Sequence, residues 1–595
     1  MSAAKDSPGI CFDFLRQQLV GGDSMFTTPF GERLMVYCDY TASGRCLLFV
    51  ENYLESLQRI YANTHTEDDI TGRSMTALLQ QAEATIKSAV NAGDNGRIIS
   101  VGTGASGAID KLQQILGVTC PPATHEFLNH SLDNFFGEQR RKEFATFLDQ
   151  QQAVIFTGPY EHHSNEISWR QGLATVVTVD LATDGSIDLA HLEQLLQLPE
   201  YQGRLRIGSF SAASNVTGMR SAIHEIARLL HHHDAIVCFD YAASAPYVEI
   251  DMNPPQTDAG DASIDAIFIS PHKFIGGPGS SGILVFNRRI YNEMLPPTVA
   301  AGGTVDYVSP ADHDFIRDIE EREKAGTPGV LQTLKAAMVF SIKDEIGSAC
   351  IEEREHQLLS RAFERWKHKP QIEIMGNPDP TRRIGIVSFN IRESRGRYLH
   401  PKFLTALLND LFGIQSRAGC SCAGPYGHRL LGIDQELSER YRHKIANGYV
   451  GLKPGWCRVG FHYTMDDAEA DYVIDAIEFI ASYGHCFLPQ YHFDLQSGSW
   501  THEQCSSLEE TLTISAAIEA CGCKPTTRPA KERQALYVRY LREAQEWADQ
   551  LSDTKPAEDI ELEGELGELQ FFTIKQPDPQ LSAGMASGEP VSDID

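Results

Sequence analysis

Residues 270–282 read SPHKFIGGPGSSG and stand between two apolar runs, AIFIS (266–270) and GILVF (282–286). Both runs have the length and the β-branched, aromatic content of buried strands. Lys273 is therefore set where a strand ends, flanked by Ser270 and His272 and followed by glycines. An amine in that position suits imine formation beside a bound phosphate. Alone, the stretch reads equally well as a surface lysine on a glycine-rich loop, so its neighbours must decide.

Outward from this stretch the same kind of run recurs: IISV (98–101), AVIF (153–156), TVVTVD (175–180), RIGSF (206–210) and AIVCFD (235–240), with helical sequence between them. That rhythm predicts an α/β fold with a large, mostly parallel sheet wrapped by helices. Asp240 closes AIVCFD, and a carboxylate beside the lysine is what a pyridinium nitrogen needs to stay protonated. IISV runs into Gly102-Thr103-Gly104-Ala105-Ser106-Gly107 and then the helical AIDKLQQIL. Backbone N–H groups and hydroxyls at such a helix N-terminus form a phosphate cup. His162 and His163 follow another strand, close enough for an imidazole to stack on an aromatic cofactor. Gly102, Gly104 and Gly107 also satisfy the dinucleotide fingerprint G-x-G-x-x-G, but that fingerprint needs an acidic second strand about twenty residues on. The following VTCPPATHEFLNH does not read as a strand.

Two more apolar runs, RIGIVSFNI (383–391) and WCRVGFHYT (456–464), straddle a helical region and predict a smaller α+β lobe. A helix over 466–483 carries Ala470, Val473, Ile477 and Ile480 on one face. The expected organisation is an arm at 1–33, a large domain at 34–300, a small C-terminal domain at 301–487, a helical extension at 488–552 and a largely disordered acidic tail at 553–595. Residues 552–595 hold eleven acidic and two basic side chains, a balance that favours disorder.

The 595-residue chain carries 51 Lys+Arg against 80 Asp+Glu, a net charge of −29, which argues against nucleic acid as a main partner. No run is long and apolar enough for a membrane span, and none resembles a signal peptide. Thirteen unevenly spaced cysteines do not form a disulfide framework, so a reducing cytoplasm is the expected setting.

The order phosphate cup, imidazole, carboxylate, lysine resembles the class V aminotransferase family of fold-type I pyridoxal-phosphate (PLP) enzymes, over roughly residues 34–485. YCDYTASGR (37–45), SNVTG (214–218) and KAGTPG (324–329) resemble further family segments. The resemblance implies PLP as cofactor, held by Thr103, Gly104, Ala105 and Ser106 at the phosphate, with Ser270 and His272 completing that shell. It implies His162 as stacking imidazole and general acid/base, Asp240 at the ring nitrogen, Asn215 near the O3′ oxygen and Lys273 as the imine-forming lysine. Thr327 would reach the phosphate of a neighbouring subunit, which implies a homodimer.

SRAGCSCAGPYGHRLLG (416–432) selects the reaction. Its R-x-G-C-x-C form resembles the active-site loop of cysteine desulfurases and, most closely, the desulfurase lobe of molybdenum cofactor sulfurases. Cys422 takes the place of the sulfur-accepting cysteine, and Cys420 is an extra thiol. The resemblance implies a substrate amino acid held by Arg458, Arg417 and Asn215, removal of sulfur from L-cysteine or selenium from selenocysteine, release of alanine, and a protein that accepts the sulfur. Arg417, His428 and Arg429 are the expected source of a field that favours the thiolate. The enzyme alternative is a class V aminotransferase or C–S β-lyase with structural cysteines; the non-enzymatic one is a scaffold with a partner-recruiting tail. The paired thiols could also be half of a zinc site completed by Cys521 and Cys523, or by Cys505 and His502, and His231-His232-His233 reads as a solvated helix end. Two features depart from the desulfurase pattern: Ala243 stands where a Gln is common, and 32 residues separate Asp240 from Lys273, with MNPPQTDAGDAS (252–263) as an inserted surface loop.

Overall fold

The computed structural model describes residues 9–64, 68–393, 396–504, 528–552 and 557–575. Seven strands form the main sheet: β1 (Gly96–Val101), β2 (Ala153–Thr157), β3 (Ala174–Thr178), β4 (Arg206–Ser211), β5 (Ile236–Asp240), β6 (Ala266–Ile269) and β7 (Gly282–Asn287). Their spatial order is β1-β7-β6-β5-β4-β2-β3. Only β7 runs against the others, pairing antiparallel with β1 and β6. Every residue of β2, β4 and β6 is buried, which explains why these strands are near-continuous apolar runs rather than alternating ones.

A second, antiparallel sheet contains β8 (Ile372–Ile374), β9 (Ile386–Ile391), β10 (Arg417–Gly419) and β11 (Trp456–Gly460) in the order β8-β9-β11-β10. The helix Pro401–Phe412 packs on it, and the helix Asp467–Tyr483 packs in turn against Pro401–Phe412 and Ser348–Trp366, its first turn capped by the Asp466 carboxylate accepting from the Glu469 N–H. The large mixed sheet and the smaller α+β body are those the sequence predicts. The two bodies exchange segments. Val36–Tyr37 pairs parallel with Ile414–Gln415, bringing the chain near residue 39 up against the small sheet. Helix Val330–Ile346 instead packs on Ile70–Ala89 within the core of the large sheet.

VTCPPATHEFLNH enters a helix, Pro122–Phe136, so the second strand of a dinucleotide fold is absent there. Pro255–Gly260 is exposed, as a surface insertion requires. His231 differs from the solvated helix end expected of it: its ring lies 3.1 Å from the Asp265 carboxylate with its side chain 12% accessible, because the 252–263 segment folds back over it. Residue 488 begins no continuous helix either, since Tyr491–Phe493 and Trp500–His502 first form an antiparallel hairpin. The helix Ala530–Ser552 follows, burying Tyr537, Tyr540, Ala544, Ala548 and Leu551 along one face. Among the described residues no helix is long and apolar enough to cross a membrane.

The acidic segment also needs correcting. Residues 557–575 close on themselves in a strand pair, Asp559–Ile560 with Ile574–Lys575, and dock on the small domain at Tyr398, whose N–H donates to the Phe571 carbonyl at 3.2 Å and whose carbonyl accepts from the Thr573 N–H at 3.2 Å. Leu569 and Phe572 are buried in its core, while Glu565 pairs with Lys444 and Glu568 with Arg440. Charge count hid this because Leu569, Phe572 and Ile574 sit where they can be buried together and several of the acids face basic partners. Residues 576–595 lie outside the described residues. Phe572→Ala should destabilise the small domain by about 3–5 kcal/mol, read as a fall in the denaturant midpoint. An unchanged midpoint would mean the segment contributes nothing to the fold.

Candidate active site

The carboxyl ends of β1, β2, β5 and β6 converge on a cavity of about 190 Å³ lined by Thr103, Ala105, Ser106, His162, Asn215, Asp240, Ala243, Ser270, His272 and Lys273, among others. Strand ends of an open α/β sheet are where such folds bind ligands. One wall is the N-terminus of the helix Gly104–Ile115, and the Ala105 N–H donates to Ser270 Oγ at 2.8 Å, tying it to the segment after β6. Gly104 has φ +60°, and a Cβ there would meet Ser270 Oγ at 2.9 Å; a Cβ on Gly282 would meet the Gly104 carbonyl oxygen at 2.3 Å. Glycine at these two positions lets three segments close on one point.

Lys273 follows β6 in a short turn, Pro271–Lys273. Burial lowers its pKa to about 8, with Asp240 opposing and Arg458 and Arg417 reinforcing that shift. Burial raises the Asp240 carboxyl against the pull of its hydrogen bond from the Ala242 N–H, at 2.8 Å, and of Lys273. Sequence alone expects His162 to titrate near working pH. Burial, with help from Lys273, His163 and Arg458, instead pushes it down to about 4. The ring is therefore neutral, and because the Ser164 N–H donates to Nδ1 at 3.1 Å, its proton sits on Nε2. His272 is likewise lowered to about 4, by burial and then by Lys273.

The small domain meets the edge of this cavity at Asn215. Arg458 is buried, its Nη1 donating to the Asn215 carbonyl at 3.0 Å and its Nη2 to Asp39 Oδ1 at 3.0 Å. Arg417 Nε donates to the other oxygen of Asp39 at 2.9 Å. Asn215 Nδ2 donates to the Ser421 carbonyl at 2.7 Å, whereas its buried Oδ1 has no partner among the described residues.

Beyond Arg417 the chain turns through Gly419 (φ +118°), Ser421 (φ +51°) and Cys422 (φ +56°). Two successive non-glycine residues in the left-handed region each cost on the order of 1–3 kcal/mol and persist only where contacts over-determine them. The contacts are present: the His163 N–H donates to the Cys422 carbonyl at 2.8 Å, the Gly424 N–H to His163 Nε2 at 3.0 Å, and Trp456 Nε1 to Ser421 Oγ at 3.2 Å. Cys422 is exposed and Cys420 half-buried. Cys422 lies near enough to Arg458 to oppose the fall that burial imposes on the arginine's pKa. Arg429 is taken up by Asp180 at 2.9 Å, and burial lowers the pKa of His428, so neither supplies the field expected of it. Thr327 is exposed and outside the cavity, its Oγ1 accepting from Asn63 Nδ2 at 3.2 Å. Among the described residues no cluster of three His, Cys, Asp or Glu could hold a metal; Cys505, Cys521 and Cys523 lie outside the described residues. Two residues of the site carry no role in the sequence reading, Asp39 and His163 as loop anchor. Asp39 sits in a quoted segment, YCDYTASGR, but only folding shows what it faces.

The aminotransferase class-V profile matches residues 142–473, more than half of the chain. The chain belongs to the class-V aminotransferase family. Among curated relatives, the probable cysteine desulfurase of Halalkalibacterium halodurans is 29% identical over 282 residues, a match spanning 47% of this chain and 63% of that protein. That of Streptomyces coelicolor is 25% identical over 76% of this chain and 93% of its own length. The fold is shared with the apo cysteine desulfurase of Thermococcus onnurineus (TM-score 0.58, 21% identity, covering 75% of this chain and 95% of that one). It is shared also with the cysteine desulfurase CsdA of Escherichia coli (TM-score 0.56, 20% identity, covering 74% and 93%). PLP use is typical of this family. The groups present fit that cofactor: a helix N-terminus with hydroxyls for a phosphate, a buried carboxylate for a ring nitrogen, an amine for an aldehyde, and in the cavity wall an Asn215 Oδ1 left without a partner among the described residues.

The depressed histidines set a pH dependence. Between about pH 4 and 6.5 the unfolded chain binds protons that folded His162 and His272 refuse, so stability rises with pH across that window and is lost as pH falls through it. In cofactor-free protein the denaturant midpoint should be lower at roughly pH 4.5 than at pH 7, and His162→Gln should narrow the gap. An identical gap in the variant would contradict the buried, neutral imidazole.

Proposed function

We propose that this chain is a PLP-dependent cysteine desulfurase-like enzyme that transfers sulfur from L-cysteine, or selenium from selenocysteine, to Cys422 and releases alanine. The observation that carries this reading is an exposed thiol on a strained loop that is pinned to His163 and to Asn215, a residue of the wall of the cavity that holds Lys273. In this reading Thr103, Gly104, Ala105, Ser106, Ser270 and His272 hold the phosphate, His162 covers the ring, Asp240 holds a proton at its nitrogen, and Asn215 meets the O3′ oxygen. When bound, the cofactor withdraws electrons from the amino acid and makes its Sγ electrophilic.

Lys273, lowered to about 8, has an accessible neutral form at working pH and can carry a proton to and from the substrate carbon. Arg458, with Arg417 and Asn215, orients the substrate carboxylate. The neutral His162 offers its Nε2–H as a donor. Cys422 attacks the substrate sulfur: an S–S bond forms, the C–S bond breaks, its electron pair stays on carbon and is protonated there, and alanine leaves. The enzyme retains a persulfide for a sulfur-accepting protein. The exposed position of Thr327, outside its own cavity, supports a homodimer in which it reaches the phosphate of a second copy.

Incubation with L-cysteine should release alanine and leave one extra sulfur atom on the peptide containing Cys422. Cys422→Ser should keep the cofactor absorbance yet lose the adduct, because a hydroxyl is a far poorer nucleophile. Lys273→Ala should lose the absorbance. Robust amino-group transfer by Cys422→Ser, with no persulfide on the wild type, would reject desulfuration in favour of an aminotransferase. Arg458→Ala should retain the absorbance while kcat/KM falls by about 2–5 kcal/mol in transition-state terms; unchanged kinetics would move the carboxylate site elsewhere.

A further inference from the structure

Arg417 and Arg458 are directly opposed cross-strand partners on β10 and β11. Like charges in that relation repel, and Arg458 is buried while Arg417 is half exposed. Asp39 holds the two together. It arrives with the segment that follows Val36–Tyr37, itself paired with Ile414–Gln415. Each of its carboxylate oxygens serves a different guanidinium, at 3.0 and 2.9 Å. All three charges act on Lys273, the two arginines opposing its proton and Asp39 favouring it, so the cluster borders the reacting amine. Two positive charges and one negative charge leave a net of one positive.

We propose that Asp39 is a positioning and specificity-determining residue: it orients both guanidinium groups and cancels one of their charges, so that the site matches an amino acid with one carboxylate and a neutral side chain and disfavours one with a second anionic group. The inference rests on the reading of Arg458 as the carboxylate clamp. An additional unit charge a few ångströms away in a partly desolvated site changes affinity by about tenfold or more. Asp39 therefore works without touching the reacting atoms, through the charge that it leaves on its neighbours.

The test uses the PLP-loaded full chain and two thiol-free amino acids, L-alanine and L-aspartate, titrated while the cofactor absorbance is followed. Wild type should bind L-alanine the more tightly. In Asp39→Asn the affinity ratio should move toward L-aspartate by about tenfold or more, and in Asp39→Glu, which keeps the charge, it should stay near wild type. A wild-type ratio in Asp39→Asn, or an equal shift in Asp39→Glu, would overturn the proposal. Should Asp39→Asn fail to fold, the double variant Asp39→Asn with Arg417→Gln restores the net single positive charge and should restore the wild-type ratio, whereas a ratio moved toward L-aspartate would overturn the proposal. Failure of the desulfurase reading shows separately, as absence of alanine formation from L-cysteine, on which these titrations do not depend.

Discussion

Burial of two opposite charges at the ends of adjacent parallel strands is the constraint on which the rest of the site depends. β5 ends at Asp240 and β6 runs beside it, Asp240 standing opposite Phe268, five residues before Lys273. Either charge alone in that interior would carry an uncompensated desolvation cost of several kcal/mol. Together they leave a lysine with a lowered pKa and a carboxyl with a raised one. That is the condition of an amine ready to react and of a carboxylate in need of a cationic partner.

Around this pair the molecule closes by backbone approach rather than by long side chains. Gly104 against Ser270, and Gly282 against the Gly104 backbone, bring the helix N-terminus down onto the turn after β6. The cavity is small and polar because three chain segments meet at near contact. The small domain then adds the charges of Arg417 and Arg458, both of which act on Lys273. Arg458 is held by a backbone carbonyl and a carboxylate, which explains how a guanidinium persists in a buried position where burial itself lowers its pKa.

The loop that carries Cys420 and Cys422 differs from the rest in storing strain. Its left-handed residues are held by His163 and Asn215 from the large domain and by Trp456 from the small one. The loop is thus a bridge between the two bodies. The thiol's presentation therefore depends on contacts from both domains rather than on its own segment alone.

Much of this was legible in the chain. Apolar run length and the punctuation after each run place seven strands and a smaller lobe, since fully buried strands must be continuous in apolar character. Position at a strand end is local, so Lys273, Asp240, His162 and the 102–107 loop could be singled out from sequence. Other features are long-range and could not. The pairing of Asp39 with Arg417 and Arg458 joins residues 378 and 419 positions apart. The diversion of Arg429 to Asp180 follows from packing, as does the fall of His162 to about 4. The docking of residues 557–575 depends on which few apolar atoms find a groove, a quantity that net charge averages away. Local sequence determines where strands start and stop because hydrogen bonding and periodicity act over a few residues. Which charges face each other, and how dry they are, was decided only when the two domains closed.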